Sequence, residues 1–260
     1  MISQMLIAIP TYNERENLES IHQRIRRLPI QADILIVDDN SPDGTGEIAQ
    51  RLSGKDSRLY LMRRSGKLGI GSAHLDAIHW AYKKRYACLL TMDCDFTHQP
   101  EDIPIFISSS KQKDVVIGTR FVDSQSLKDW EPFRKMVTHL GHFLTKKLLK
   151  MPYDASGAFR LYHLDRIPEG LFDLVRTKGY AFFFESLFIL NTNGHSIQEI
   201  PIILPARTCG HSKMTTMDAV KGLSRLATTF LDSKIHPSHY ILPETKRSAS
   251  HDKSFTVQSH

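Results

Sequence analysis

Two aspartates one residue apart, Asp93 and Asp95, follow directly on the apolar run Ala87–Met92. Carboxylates at i and i+2, where a strand turns into a loop, can present oxygens to one hard cation. Mg²⁺ usually binds through one or two carboxylates and completes its shell with waters and substrate phosphates. A solvated strand-end loop has the same look, so the triplet Asp93-Cys94-Asp95 is weak by itself. Its weight comes from a second acidic pair, Asp38-Asp39, closing the apolar run Asp33–Val37. The residues that follow, Asn40-Ser41-Pro42-Asp43-Gly44, are ordinary turn formers. Paired aspartates at the end of a buried strand are not explained that way. An Asp there can accept hydrogen bonds from a ribose or a base.

Cations complement these acids. Arg120 follows the strand-like Val115–Gly118, and Arg207 and Lys213 follow the last strand-like run. Arg134 and Arg160 stand in similar loop or element-end settings. Any one of them alone reads first as a surface cation. The block Arg63-Arg64-Ser65-Gly66-Lys67-Leu68-Gly69-Ile70-Gly71 is basic and glycine-bearing, yet matches neither G-x-x-x-x-G-K-[ST] nor G-x-G-x-x-G. It disfavours a dinucleotide-fold dehydrogenase and leaves a loop before a helix N-terminus, where a phosphate can sit.

The elements that must position these groups alternate. Met5–Pro10, Asp33–Val37, Leu59–Met62, Ala87–Met92 and Val115–Gly118 read as strands. Between them, Asn13–Leu28 (with Asn13 as the N-cap), Glu47–Leu52, Gly69–Tyr82 and Asp102–Ser110 read as helices. Such alternation predicts an α/β fold with a mainly parallel sheet flanked by helices. Ligands of open α/β sheets bind beyond the carboxyl ends of the strands. Pro10-Thr11-Tyr12-Asn13-Glu14, Asp38-Asp39 and Asp93-Cys94-Asp95 all fall there. The second half is less regular, with helices expected over Phe133–Met151, Tyr180–Asn191 and Met217–Leu231 and a strand over Ser196–Leu204. Phe133–Met151 reads either as a core-facing surface helix or as a helix lying on a membrane. Residues 120–150 hold seven Lys or Arg against three Asp or Glu, which would draw anionic lipid.

At 260 residues and 29.7 kDa the chain can bury a core without disulfides or structural metal. The 41% hydrophobic and 24% charged residues exclude collagen, coiled coil and wholesale disorder. No run approaches a membrane span, and the N-terminus opens as a strand rather than a signal peptide. Cys88, Cys94 and Cys209 are odd in number and widely spaced, so reduced thiols are expected. A formal charge of +6 favours anionic partners weakly. Residues 1–232 are expected to form one domain and 233–260 a polar tail, disordered from about 246.

Read together and in order, Pro10-Thr-Tyr-Asn-Glu-Arg-Glu-Asn17, Val37-Asp-Asp-Asn-Ser-Pro-Asp-Gly-Thr45, Asp93-Cys-Asp95, Gly118-Thr-Arg-Phe121, Ser156-Gly-Ala-Phe-Arg160 and Arg207-x-x-Gly-x-Ser-Lys213 resemble family 2 inverting glycosyltransferases of the GT-A fold. The nearest branch in resemblance is dolichol-phosphate (polyprenol-phosphate) mannose synthase, over roughly residues 5–230. The resemblance implies GDP-mannose as donor, a polyprenyl monophosphate as acceptor and Mg²⁺ or Mn²⁺ as cofactor. It implies that Pro10, Tyr12, Glu14, Val37 and Asp39 hold the nucleoside. Asp93 and Asp95 would meet the metal and donor phosphates, with the Cys94 backbone adjacent. Arg207 and Lys213 would hold the diphosphate end, and Arg120 and Arg134 the lipid phosphate. Asp95, Arg120 and Arg134 are then the residues nearest the chemistry. The family's D-A-D-L-Q pattern is broken, because Thr97 stands where the Gln helps at the metal; with Asp93 and Asp95 it is then the metal set, its hydroxyl a poorer ligand than an amide carbonyl, for which a water or His98 would compensate. Many bacterial relatives carry C-terminal membrane helices that this chain lacks. The implied setting is therefore peripheral, on the cytoplasmic face of a membrane, with a small membrane protein as an open further partner.

The chemistry fits this set. A leaving diphosphate needs its charge neutralised, and the acceptor phosphate is already an anion, so no strong base is required. Arginine forks suit holding it in line, and in-line attack on an α-linked donor gives a β-linked product. Three alternatives stay open. The first is a UDP-sugar with undecaprenyl phosphate on the same fold. The second is a nucleotidyltransferase, disfavoured because Pro10–Asn17 has no glycine. The third is a non-catalytic anion or nucleic-acid binder, disfavoured because the basic residues are dispersed among acids.

Overall fold

The computed structural model describes residues 5–122, 126–127, 132–204 and 216–244. Seven strands form one sheet: β1 (Met5–Thr11), β2 (Asp33–Asp38), β3 (Leu59–Arg63), β4 (Cys88–Thr91), β5 (Val115–Thr119), β6 (Arg160–His163) and β7 (Ile197–Pro201). Their order is β3-β2-β1-β4-β6-β5-β7. All pairings are parallel except those of β6, which runs antiparallel to both β4 and β5. The helices are α1 (Leu18–Arg26), α2 (Thr45–Ser53), α3 (Ile70–Lys83), α4 (Ile103–Ser109), α5 (Pro132–Leu148), α6 (Phe182–Thr192) and α7 (Thr216–Ile235).

Every residue of β1 is buried, as expected for a parallel strand covered on both faces. Its side chains divide by the period of two: Leu6 and Ala8 enter one core layer, Met5, Ile7 and Ile9 the other. Ala73, Ala77, Ile78 and Ala81 of α3 and most of α6 cover the first face. Leu18, Ile21 and Ile25 of α1, with Ala49 and Leu52 of α2 and Phe106 of α4, cover the second. The α3–α6 approach is close enough that a Cβ on Gly71 would stand 2.5 Å from the Phe182 Cβ.

Two sequence expectations are corrected, and one element is added. Asn13 does not cap α1. It adopts a left-handed φ of 56°, and the helix begins only after Asn17. The short antiparallel β6 was not foreseen. The packed chain also runs beyond the boundary expected at 232: α7 reaches Ile235, and Tyr240 and Leu242 are buried in the core. Tyr240 donates its hydroxyl to Asp232 at 3.0 Å. Residues 245–260, where the disordered tail was expected, lie outside the described residues.

Candidate active site

The sheet order places β2, β1 and β4 side by side and parallel, so the three polar strand ends converge on one edge. At about 4.8 Å per strand, the β2 and β4 ends lie about 10 Å apart. The β1 strand is flanked by β2, which follows it in sequence, on one side and by β4 on the other. That is a topological switch point, where α/β sheets open a crevice for ligands.

Asp38 braces this edge. Its buried carboxylate accepts from Thr11 Oγ1 at 3.0 Å and from Ser41 N at 3.0 Å and Oγ at 2.6 Å. Asp39, also buried, pairs with the guanidinium of Arg64. Burial pushes the Asp39 carboxyl above the ordinary carboxylate range, against the opposing pull of Arg64. Asp76 approaches Arg64 Nε at 3.0 Å as an ion pair rather than an aligned hydrogen bond. Lys67 places its ammonium 4.4 Å from the Tyr12 ring centroid, a cation–π contact at the mouth of the crevice. Glu14 is buried and accepts from Asn17 Nδ2 at 2.8 Å. Pro10 and Val37 are register partners within the sheet. Because the Val37 side chain lies wholly in the core, its backbone alone is left to meet a ligand.

At the end of β4, Asp93 is partly exposed and Asp95 is buried. Asp95 Oδ1 accepts from the Thr97 backbone N–H at 3.1 Å and from its hydroxyl at 2.5 Å. Phe96, between them, adopts φ 60°, an uncommon strain for a bulky residue that sets the turn. Thr97, expected at the metal, and His98, expected with water to compensate for it, both make contacts within this loop. Thr97 donates its hydroxyl to Asp95 and acts as a buttress. His98 Nδ1 accepts the Asp93 backbone N–H at 2.9 Å, and its ring stacks on Phe159 at 4.9 Å. Both side chains help to shape the loop. Cys94 is buried in the core, and its backbone lies between the two aspartates. Among the described residues no three His, Cys, Asp or Glu side chains cluster as a complete metal cage. Two carboxylates at one strand end still fit a hard divalent ion that draws its remaining oxygens from water and phosphate.

Arg120, at the end of β5, is not a lone cation. Its Nε and Nη2 donate to the two oxygens of Asp154 at 2.8 and 2.7 Å, and its backbone N–H donates to Oδ2 at 3.1 Å. Nη2 also donates to the Ser156 hydroxyl. Asp154 is fully buried, and the paired Arg120 holds its carboxyl below the ordinary range against the opposing effect of burial. Asp93 lies near enough to stabilise the charged Arg120, so β4 and β5 contribute to one site. Arg160 shapes the loop that carries Asp154. It is fully buried and donates to the carbonyls of Ala155 at 3.0 Å, Gly157 at 2.8 Å and Phe183 at 2.8 Å, and to Ser186 Oγ at 3.1 Å.

The structure therefore brings together Tyr12, Glu14 and Asp39 on one side of the crevice and Asp93, Asp95 and Arg120 on the other. Arg134 falls in the first turn of α5, where its backbone alone is described. Arg207 and Lys213 lie outside the described residues. Sequence reading missed Asp154, which lies just before the block Ser156–Arg160, and the Arg64 and Lys67 pairings, which only the folded loop reveals.

Glycosyl transferase family 2 matches residues 6–169, more than half of the chain. An undecaprenyl-phosphate mannosyltransferase of Micrococcus luteus is 34% identical over 213 residues, covering 82% of this chain and 88% of that protein. A polyprenol monophosphomannose synthase of Mycolicibacterium smegmatis is 34% identical over 226 residues, 85% of each. Among solved structures, mannosyl-3-phosphoglycerate synthase from Rubrobacter xylanophilus superposes with a TM-score of 0.64 at 16% identity. That superposition covers 93% of this chain and 79% of the other, and it shows the shared GT-A fold.

Proposed function

The chain belongs to glycosyl transferase family 2, and on that premise we propose that it transfers mannose from GDP-mannose to a polyprenyl monophosphate, giving a β-linked lipid phosphomannose. The observation that carries this reading is the pair of relatives, similar over more than four fifths of the chain, whose names specify mannose and a polyprenyl phosphate. The site geometry supports it. Tyr12, Glu14, Asp39 and the backbone of Pro10 and Val37 line the nucleoside end. Asp93 and Asp95 would hold Mg²⁺ or Mn²⁺, which when bound would neutralise charge on the donor diphosphate. Arg207 and Lys213 add positive charge at the same diphosphate. Arg120, held in one orientation by Asp154, and Arg134 grip the acceptor phosphate. Arg120 is pre-set, so little reorganisation is needed when an anion arrives. With the acceptor oxygen fixed opposite the leaving diphosphate, attack at the anomeric carbon is in line and inverts the centre.

This reading is tested by transfer of labelled sugar from GDP-mannose, UDP-glucose and UDP-N-acetylglucosamine to a polyprenyl phosphate in detergent, with Mg²⁺, Mn²⁺ or EDTA. Lipid product from GDP-mannose alone, lost with EDTA, is expected. Product from a UDP-sugar would keep the site and replace the donor, and a donor-independent blank would overturn the reading.

The acceptor is a membrane lipid in this proposal, and one surface suits that. No helix among the described residues is long and apolar enough to cross a membrane. On α5, however, Met136, Leu140 and Phe143 are exposed at i, i+4 and i+7, beside Lys135, Lys146 and Lys147. On the neighbouring α7, Met217, Val220, Leu231 and Ile235 are exposed as well. Apolar side chains rimmed by lysine fit the interface of an anionic bilayer. The chain is then peripheral, on the cytoplasmic face where the nucleotide sugar is available. A Phe143→Glu variant should sediment with phosphatidylserine vesicles at least about tenfold less well, since burying one such ring contributes about 2 kcal/mol. Unchanged sedimentation would remove α5 from the docking face.

A further inference from the structure

The α5 helix brings a titratable ring to the acceptor side of the site that the account above does not use. His142 stacks on Phe121, the residue after Arg120, with ring centroids 4.0 Å apart and planes inclined by 19°. The Arg120 guanidinium carbon lies 5.6 Å from the centroid of the same Phe121 ring. His139, one turn earlier, touches that ring at 5.5 Å. Arg120, Phe121 and His142 are thus one packed group. Within it, His142 Nδ1 is buried and has no hydrogen-bond partner among the described residues. A buried polar atom without a partner costs free energy and calls for an explanation.

Among the described residues, the charged and titratable groups around His142 come from several elements. They are Lys146 and His139 on α5, Arg120 at the end of β5, Asp154 in the loop before β6 and Glu199 on β7. Glu199 is itself tied in, since its Oε1 accepts the Asp154 backbone N–H at 2.6 Å. Burial lowers the His142 pKa below 6.5; Asp154 and Glu199 oppose that, while Lys146 and Arg120 add to it. The imidazole is therefore neutral near pH 7 in the free protein. A phosphate dianion arriving at Arg120 changes this balance, because a nearby negative charge favours the protonated ring.

We propose that His142 takes up a proton when the acceptor phosphate binds, becoming a second cation beside Arg120 and using its unpartnered Nδ1. This rests on the reading of Arg120 as a contact of the acceptor phosphate. The proton comes from solvent, and no covalent bond changes. Transfer turns the phosphomonoester dianion into a phosphodiester monoanion, so the charge that stabilises the proton is halved and the ring returns it. Acceptor capture and product release are thereby coupled to one proton, as linkage requires.

The test is titration calorimetry of the full chain with a C15 polyprenyl monophosphate in detergent at pH 7.5, in two buffers of different ionisation heat. At that pH the phosphate, with a second pKa of about 6, is already a dianion and releases little proton itself. The wild type is expected to show a buffer-dependent heat in the sense of proton uptake. His142→Gln should bind several-fold more weakly, with a heat independent of buffer. His142→Arg should recover affinity without recovering the buffer dependence. A buffer-independent wild-type heat, or uptake retained in His142→Gln, would overturn the proposal. Acceptor binding that is absent in the wild type, or unchanged in Arg120→Ala, would instead overturn the acceptor reading and the proposal with it.

Discussion

Replacing Asp95 by alanine is expected to lower the proposed sugar transfer about 10²–10³-fold, the size seen when one pre-organised electrostatic group is removed from a reacting centre. Asp95 is the buried member of the strand-end pair, and two bonds from Thr97 fix its orientation. A pre-oriented carboxylate can bind a hard cation without first losing side-chain entropy. In the proposed reaction, its removal would leave the partly exposed Asp93 as the remaining carboxylate of the pair, a poorer hold on the ion. The fold should survive, because the two hydrogen bonds that Asp95 accepts from Thr97 are local to its own loop. Thr97→Val keeps the carboxylate and deletes one buttress, so it should lose only about tenfold, as supporting groups around metal ligands do. Initial transfer rates, read beside the melting temperature without donor, separate the two effects. A rate for Asp95→Ala within twofold of wild type would remove Asp95 from the chemistry.

The second large effect is expected at Asp154. Asp154→Asn removes the buried negative partner of Arg120 and strands a desolvated guanidinium, at a cost of about 3–5 kcal/mol. Its folded carboxyl is held below the usual range, so its contribution is present above the unfolded pKa of 3.8 and is lost as pH falls below it. Asp154→Asn should therefore melt well below wild type at pH 7, and the two should converge as pH falls below 3.8. Arg120→Lys tests the same fork with the charge kept. Lysine cannot make the two parallel bonds, so the acceptor KM should rise about tenfold or more while the donor KM stays unchanged. A donor KM that rose in parallel would place Arg120 on the donor instead.

Much of the architecture was legible because parallel strands buried on both faces read as uninterrupted apolar runs. Met5–Thr11 and Asp33–Asp38 are such runs, and each carries its chemistry just past its end. The antiparallel β6 was illegible for the opposite reason. It spans four residues and is bounded by Arg160 and His163, both buried. Its burial of an arginine depends on carbonyls of Ala155, Gly157 and Phe183, whose approach no local pattern announces. The acids at Asp38, Asp39, Asp93 and Asp95 were found from position alone. The long-range pairings were not: Arg64 reaches Asp39 from 25 residues away, and Arg120 meets Asp154, itself unmarked in the sequence reading, from 34. In sequence, Phe133–Met151 reads as a helix that turns either to the core or to a membrane. The fold divides it, with Leu144 and Leu148 packed against the core and Met136, Leu140 and Phe143 outward.

The most direct test of the account is the anomeric configuration of the lipid-linked sugar formed from GDP-mannose and a polyprenyl phosphate, read from its one-bond C1–H1 coupling. A single direct attack by the acceptor phosphate predicts β-mannosyl phosphate alone. An α-linked product, or mannose released to water with no lipid product, would contradict it.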